Sequence, residues 1–68
     1  MNLAERIERV FYYSGDSLNE IPDNVLSDCW WIKNRYSELK RTLDFESAAR
    51  QARTEWLEKV IVDDLKNM

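Results

Sequence analysis

The sequence contains no histidine, and only one cysteine, one glycine and one proline. Without histidine, acid–base chemistry would fall to paired carboxylates, a lysine or the lone thiol. One cysteine closes no internal disulfide, and a lone thiol without histidine excludes the common zinc ligand sets. No glycine-rich loop exists to cradle a phosphate. No apolar run approaches the ~20 residues of a membrane span, and Glu5, Arg6, Glu8 and Arg9 stand where a secretory signal needs an apolar core. The net charge of −3 is too mild for a DNA mimic and has the wrong sign for bulk nucleic-acid binding. The expectation is a soluble cytoplasmic protein, not an enzyme, with no metal or cofactor and no DNA or membrane partner; the free thiol fits a reducing compartment.

What is present is aromatic and charged. Three tryptophans, three tyrosines and two phenylalanines sit in 68 residues, enough for one small domain. A chain this short buries a smaller share of its surface than a large one and is marginal without staples. Disulfide and zinc being excluded, self-association is the remaining route to more buried area. Trp30, Trp31, Trp56 and Tyr12 are the interface candidates, because large aromatics dominate interface energetics.

The pattern is helical throughout. Val25, Cys29, Ile32, Tyr36, Leu39 and Leu43 recur at steps of four and three, the period of a helix with one apolar seam. Leu26 and Trp30 widen that seam, and Trp31 lies off it. Before it, Leu3, Ile7 and Val10 predict a short helix capped by Asn2. Phe11, Tyr12 and Tyr13 close this helix and cannot all share one face. Ser14 to Asn24 holds the only glycine and proline and reads as a loop, with Gly15 ending the first helix and Leu18 and Ile21 pinning the loop to the helices. Asp23 is the expected cap of the second helix and Asp44 of the third. Phe45, Ala49, Ala52, Trp56 and Val60 make one stripe of the third helix, and Leu57, Ile61, Leu65 and Met68 a second. Ala48, Ala49 and Ala52 allow close approach of a neighbour. The resulting fold class is all-α: one domain over 1–68, with helices at about 2–12, 24–43 and 45–66, a loop at about 14–23, and the last two helices forming an antiparallel hairpin that oligomerises.

Little here supports catalysis. Cys29 lies on the apolar seam, where a buried thiol is inert. Asp63 and Asp64 are adjacent and diverge around their helix, so they share no acid–base site. The cations Lys33, Arg35, Lys40, Arg41, Arg50 and Arg53 gather mid-chain, either as solvated helix faces or as a basic spot for a small anion. The surplus aromatics fill a subunit interface, or one or two of them stack on a planar ligand.

Several short motifs bear on this choice. Phe11-Tyr12-Tyr13 precedes the second helix; Ile32 is followed by Lys33; the third helix opens with Ser47-Ala48-Ala49-Arg50 and continues to Leu57-Glu58 before Val60-Ile61. In these the chain resembles the small helical anti-CBASS sponges, phage proteins that sequester the cyclic oligonucleotide signals of a bacterial antiviral system. The chain departs from that family in having Ser14 where histidine usually follows the tyrosine, Leu43-Asp44 where Cys-Pro is usual, and a longer loop. The resemblance implies a compact oligomer, typically a hexamer, that binds a cyclic di- or trinucleotide between subunits in the cytoplasm of an infected bacterium. It implies that Tyr13 stacks on a base and Lys33 sits at the phosphates, with Arg35 and Arg50 as further charge contacts. The alternative is a helical protein-binding regulator or inhibitor that lays an exposed Trp/Tyr-rich helix face into a partner's groove.

Overall fold

The computed structural model describes residues 2–14 and 20–67 of the chain. These form three helices, α1 (Leu3–Tyr13), α2 (Asp23–Leu39) and α3 (Phe45–Lys66), with no strand among the described residues. Asn2 caps α1 as expected: its backbone is extended and its side-chain oxygen accepts from the Glu5 N–H at 2.9 Å. Ser14 closes the helix, its N–H donating to the Val10 carbonyl at 2.9 Å. Gly15 and Leu18, to which roles in the loop were given, lie outside the described residues, whereas Ile21 is buried and does pin the chain to the core.

Two boundaries of α2 differ from the sequence reading. Pro22 occupies the cap position and Asp23 falls in the first turn. The fixed φ of proline presets the extended entry, and the Asp23 carboxylate remains near the positive end of the helix dipole. The far end comes at Leu39, not Leu43. Lys40 to Thr42 wind into turns closed by hydrogen bonds such as Thr42 N–H to the Leu39 carbonyl at 3.1 Å. The chain needs these residues to reverse before Asp44, which has an extended backbone and accepts from the Ser47 N–H at 3.2 Å to cap α3.

Val10, Ile21, Val25, Cys29, Ile32, Ala52, Trp56 and Val60 form the core, with Ala48 also fully buried. On α3 the buried row is Ala48, Ala52, Trp56 and Val60, a strict i,i+4 ridge of the kind that packs into a neighbouring helix. This shifts the expected stripe by a position at its start: Phe45 is 68% exposed and Ala49 half-buried. Trp56, an interface candidate in the sequence, is 0% exposed within a single chain. Ala48 and Ala52, in the same row, are likewise 0% exposed, and their methyl side chains allow a neighbouring helix to approach closely.

One polar group joins all three helices. Asp28 of α2 is 9% exposed and receives two hydrogen bonds from Arg6 of α1, at 2.9 Å from Nε and 2.7 Å from a terminal nitrogen. It also accepts from the Trp56 indole N–H of α3 at 3.2 Å. Burial alone would push this carboxyl up, but the hydrogen bonds from Arg6 and Trp56 outweigh it and hold the pKa below its ordinary value. Along the α2–α3 contact, Asp28 meets Trp56, Arg35 meets Glu55 at 3.0 Å, and the Tyr36 and Phe45 rings meet edge to face at 6.4 Å.

Candidate functional site

The end of α1 carries the aromatic cluster. At about 100° per residue, Phe11, Tyr12 and Tyr13 must take three directions. Phe11 tilts over Trp56, ring centroids 5.8 Å apart, and covers the edge of the core. Tyr13 is half-buried and packs on the core from the other side. Tyr12 is 71% exposed and meets Tyr13 edge to face at 5.0 Å and 89°. That contact anchors the outer ring against the inner one, so Tyr12 offers a face to solvent without being loose. One turn earlier, at i,i+4 spacing, stand Glu8 below Tyr12 and Arg9 below Tyr13. These four side chains line an open cleft of about 500 Å³.

The cleft is wide open to solvent, and a planar group could lie there only against an exposed tyrosine face. Arg9 makes no ion pair among the described residues, and its guanidinium can stack on a planar ligand or meet a phosphate. The last carbonyls of α1 point toward this end, and their partial negative charge disfavours an anion there. A ligand's base therefore suits the cleft better than its phosphates do.

The remaining candidate residues lie elsewhere in the chain. Lys33 is exposed on α2, its ammonium 5.2 Å over the Trp30 ring, and it makes no ion pair among the described residues. Arg35 is already engaged: its Nε donates to both Glu55 oxygens at 3.0 and 3.2 Å, and a terminal nitrogen to Glu38 at 3.2 Å. The hydrogen bond to Glu55 is the main reason its pKa is raised. Arg50 is exposed in the first half of α3 and makes no ion pair among the described residues. None of these three lines the tyrosine cleft. Of the interface candidates other than Trp56, Tyr12 is exposed, Trp30 is exposed beneath Lys33, and Trp31 is half-buried against the core. The two adjacent tryptophans thus have the reverse of their expected roles, because α2 turns its buried arc toward Asp28 and Arg35, the side that faces α3.

Glu8 and Arg9 were missed as site residues, although their i,i+4 spacing to Tyr12 and Tyr13 is legible in the sequence. Asp28 was missed as a core residue, and no local pattern marks it. Among the described residues no group of three or more acidic or cysteine side chains could hold a metal ion, and no helix is long and apolar enough to cross a membrane. Comparison with known proteins found no matching family model, no similar curated protein and no similar solved structure.

Proposed function

We propose that this chain is a non-catalytic binding protein that sequesters cyclic oligonucleotide second messengers and thereby blocks an antiviral signal in a bacterial host. The observation that carries the reading is the Tyr12–Tyr13 pair, ring edge against ring face, opening onto a cleft that Arg9 borders. A base stacked on such a ring gains about 1–3 kcal/mol without needing a particular sequence or fold. Lys33 supplies an ammonium free of carboxylate partners among the described residues, the type of group that meets a phosphate. Because Lys33 lies outside the cleft of its own chain, a pocket using both draws Tyr13 from one copy and Lys33 from another. The working form is then a homo-oligomer, a hexamer on the family resemblance. The order of contacts between α2 and α3, early with late and late with early, supports the antiparallel hairpin within each copy.

Sequestration requires affinity and abundance, not turnover. Holding a messenger below its receptor's threshold calls for nanomolar binding, about −12 kcal/mol. Purified protein extracted with acid should release a cyclic nucleotide when it comes from cells that make one; protein from such cells that releases none counts against the proposal. A second reading, a protein-binding regulator, is favoured by a different observation: Trp30 and the apolar residues Ile61, Val62 and Leu65 are exposed.

A further inference from the structure

We infer that the base received by the tyrosine cleft is guanine, selected by Glu8 and Arg9. This rests on the cyclic-oligonucleotide reading above and names the nucleotide that the same site prefers. At about 100° per residue, the four lining side chains stand around α1 at about 0° for Glu8, 40° for Tyr12, 100° for Arg9 and 140° for Tyr13. Tyr12 thus falls between a carboxylate and a guanidinium, each about one turn earlier and roughly 5–6 Å away between Cβ atoms. Helical side chains lean toward the N-terminus, which carries the Tyr12 ring back over the turn that bears both charges. A base stacked on the exposed face of this ring has Glu8 beside one part of its edge and Arg9 beside another.

Both charges are available to a ligand. Glu8 and Arg9 are exposed, and neither makes an ion pair among the described residues. Being consecutive, they diverge around the helix and do not neutralise each other. An ionised carboxylate only accepts, and a guanidinium only donates. Guanine alone among the common bases presents two adjacent donors, N1–H and the 2-amino group, which can meet both carboxylate oxygens side by side. The neighbouring stretch of its edge presents O6 and N7, two acceptors that match a guanidinium. Adenine and cytosine set a ring-nitrogen lone pair next to their amino group, and that lone pair repels a carboxylate. Uracil has a single N–H between two carbonyls. Guanine is therefore the base whose edges answer Glu8 and Arg9 together. The same carboxylate turns phosphates away, in line with the carbonyls at this end of α1.

The test titrates the folded, ligand-free full chain with cyclic di-GMP, cyclic di-AMP, cyclic di-UMP and cyclic di-IMP, the last lacking the 2-amino group of guanine. Cyclic di-GMP should bind about 5- to 150-fold tighter than the adenine and uracil ligands, the discrimination a good bidentate pair supplies. Cyclic di-IMP should also bind more weakly than cyclic di-GMP. Glu8→Ala, at an exposed position and with helix content unchanged by circular dichroism, should lower the affinity for cyclic di-GMP and leave that for cyclic di-AMP unchanged or higher. In this variant the penalty for removing the 2-amino group should vanish, which a merely structural role for Glu8 would not bring about. Arg9→Ala should likewise weaken cyclic di-GMP more than cyclic di-AMP. Binding confined to ligands without guanine, equal binding of all four, or a Glu8→Ala variant that keeps the wild-type preference overturns the guanine assignment and leaves the sequestration reading standing. A wild type that binds no cyclic di- or trinucleotide overturns both.

Discussion

Replacing Asp28 by alanine removes an acceptor that joins all three helices. Three hydrogen bonds are lost, two from Arg6 and one from the Trp56 indole. The two donors differ in what they can do next. The Arg6 side chain is 39% exposed and can swing to water, so its share is largely recovered. Trp56 is wholly buried, and its orphaned N–H carries a penalty of about 1–3 kcal/mol. Removing one partner of a buried ion pair costs about 3–5 kcal/mol, and the exposure of Arg6 sets this case at the low end, about 3 kcal/mol. A chain of 68 residues holds roughly 3–10 kcal/mol in total, so the variant should be close to unfolded or far less stable. Urea unfolding followed by tryptophan fluorescence reads this directly. With a slope of about 1 kcal/mol per molar, the midpoint should fall by about 3 M. Arg6→Met with Asp28→Leu, which replaces the pair by apolar groups, should recover much of the loss. The pH dependence follows from the same contacts. A carboxyl held below its ordinary pKa stabilises the fold above the unfolded value, so this contribution should fade as pH drops below about 4 and be intact at neutral pH. An Asp28→Ala midpoint equal to that of the wild type would refute the reasoning.

Burial raises the pKa of Cys29 and encloses the thiol, so a thiol reagent should label the native protein slowly and the urea-unfolded protein at once. Ala52→Leu should cost roughly 1–3 kcal/mol by the same urea assay, because Ala52 is fully buried in the core and a larger side chain overpacks it. Ile32→Ala should cost roughly 2–5 kcal/mol, and Leu39→Ala less, since Leu39 is only half-buried. Equal effects for Ile32 and Leu39 would mean that the seam of α2 is buried along its whole length.

The helices were legible because their signals are local. Val25, Cys29 and Ile32 repeat at helical spacing and are buried together, and Asn2 and Asp44 cap the helices they were expected to cap. The errors fall where distant residues decide. Apolar periodicity does not mark Asp28, because nothing near it reveals that Arg6 and Trp56 will arrive as donors from two other helices. Once Asp28 is buried, the packed arc of α2 rotates toward it, which draws Trp31 inward and leaves Trp30 outside. Trp56 was an interface candidate because large aromatics dominate interfaces in a chain without staples; within one chain it is buried in a core that Val10 of α1 shares and that Phe11 covers. The candidate site was half legible. Tyr12 and Tyr13 stood out as aromatics, but Glu8 and Arg9 looked like ordinary charges on a solvated helix until the cleft set them beside the rings.

The central claim is that this chain binds a cyclic oligonucleotide through a tyrosine ring and a lysine ammonium. Isothermal titration of folded, ligand-free protein with a panel of cyclic di- and trinucleotides tests it most directly. At least one of them should bind with nanomolar affinity. Tyr13→Ala should weaken that binding by about 1–3 kcal/mol through the lost stack, and Lys33→Ala by a similar amount through the lost phosphate contact. Lys33→Ala should keep the wild-type mass and melting behaviour, since Lys33 is exposed; Tyr13 packs partly on the core, so Tyr13→Phe, which keeps the ring, should retain binding. No heat with any cyclic nucleotide, from protein shown to be folded and free of carried-over ligand, would contradict the account.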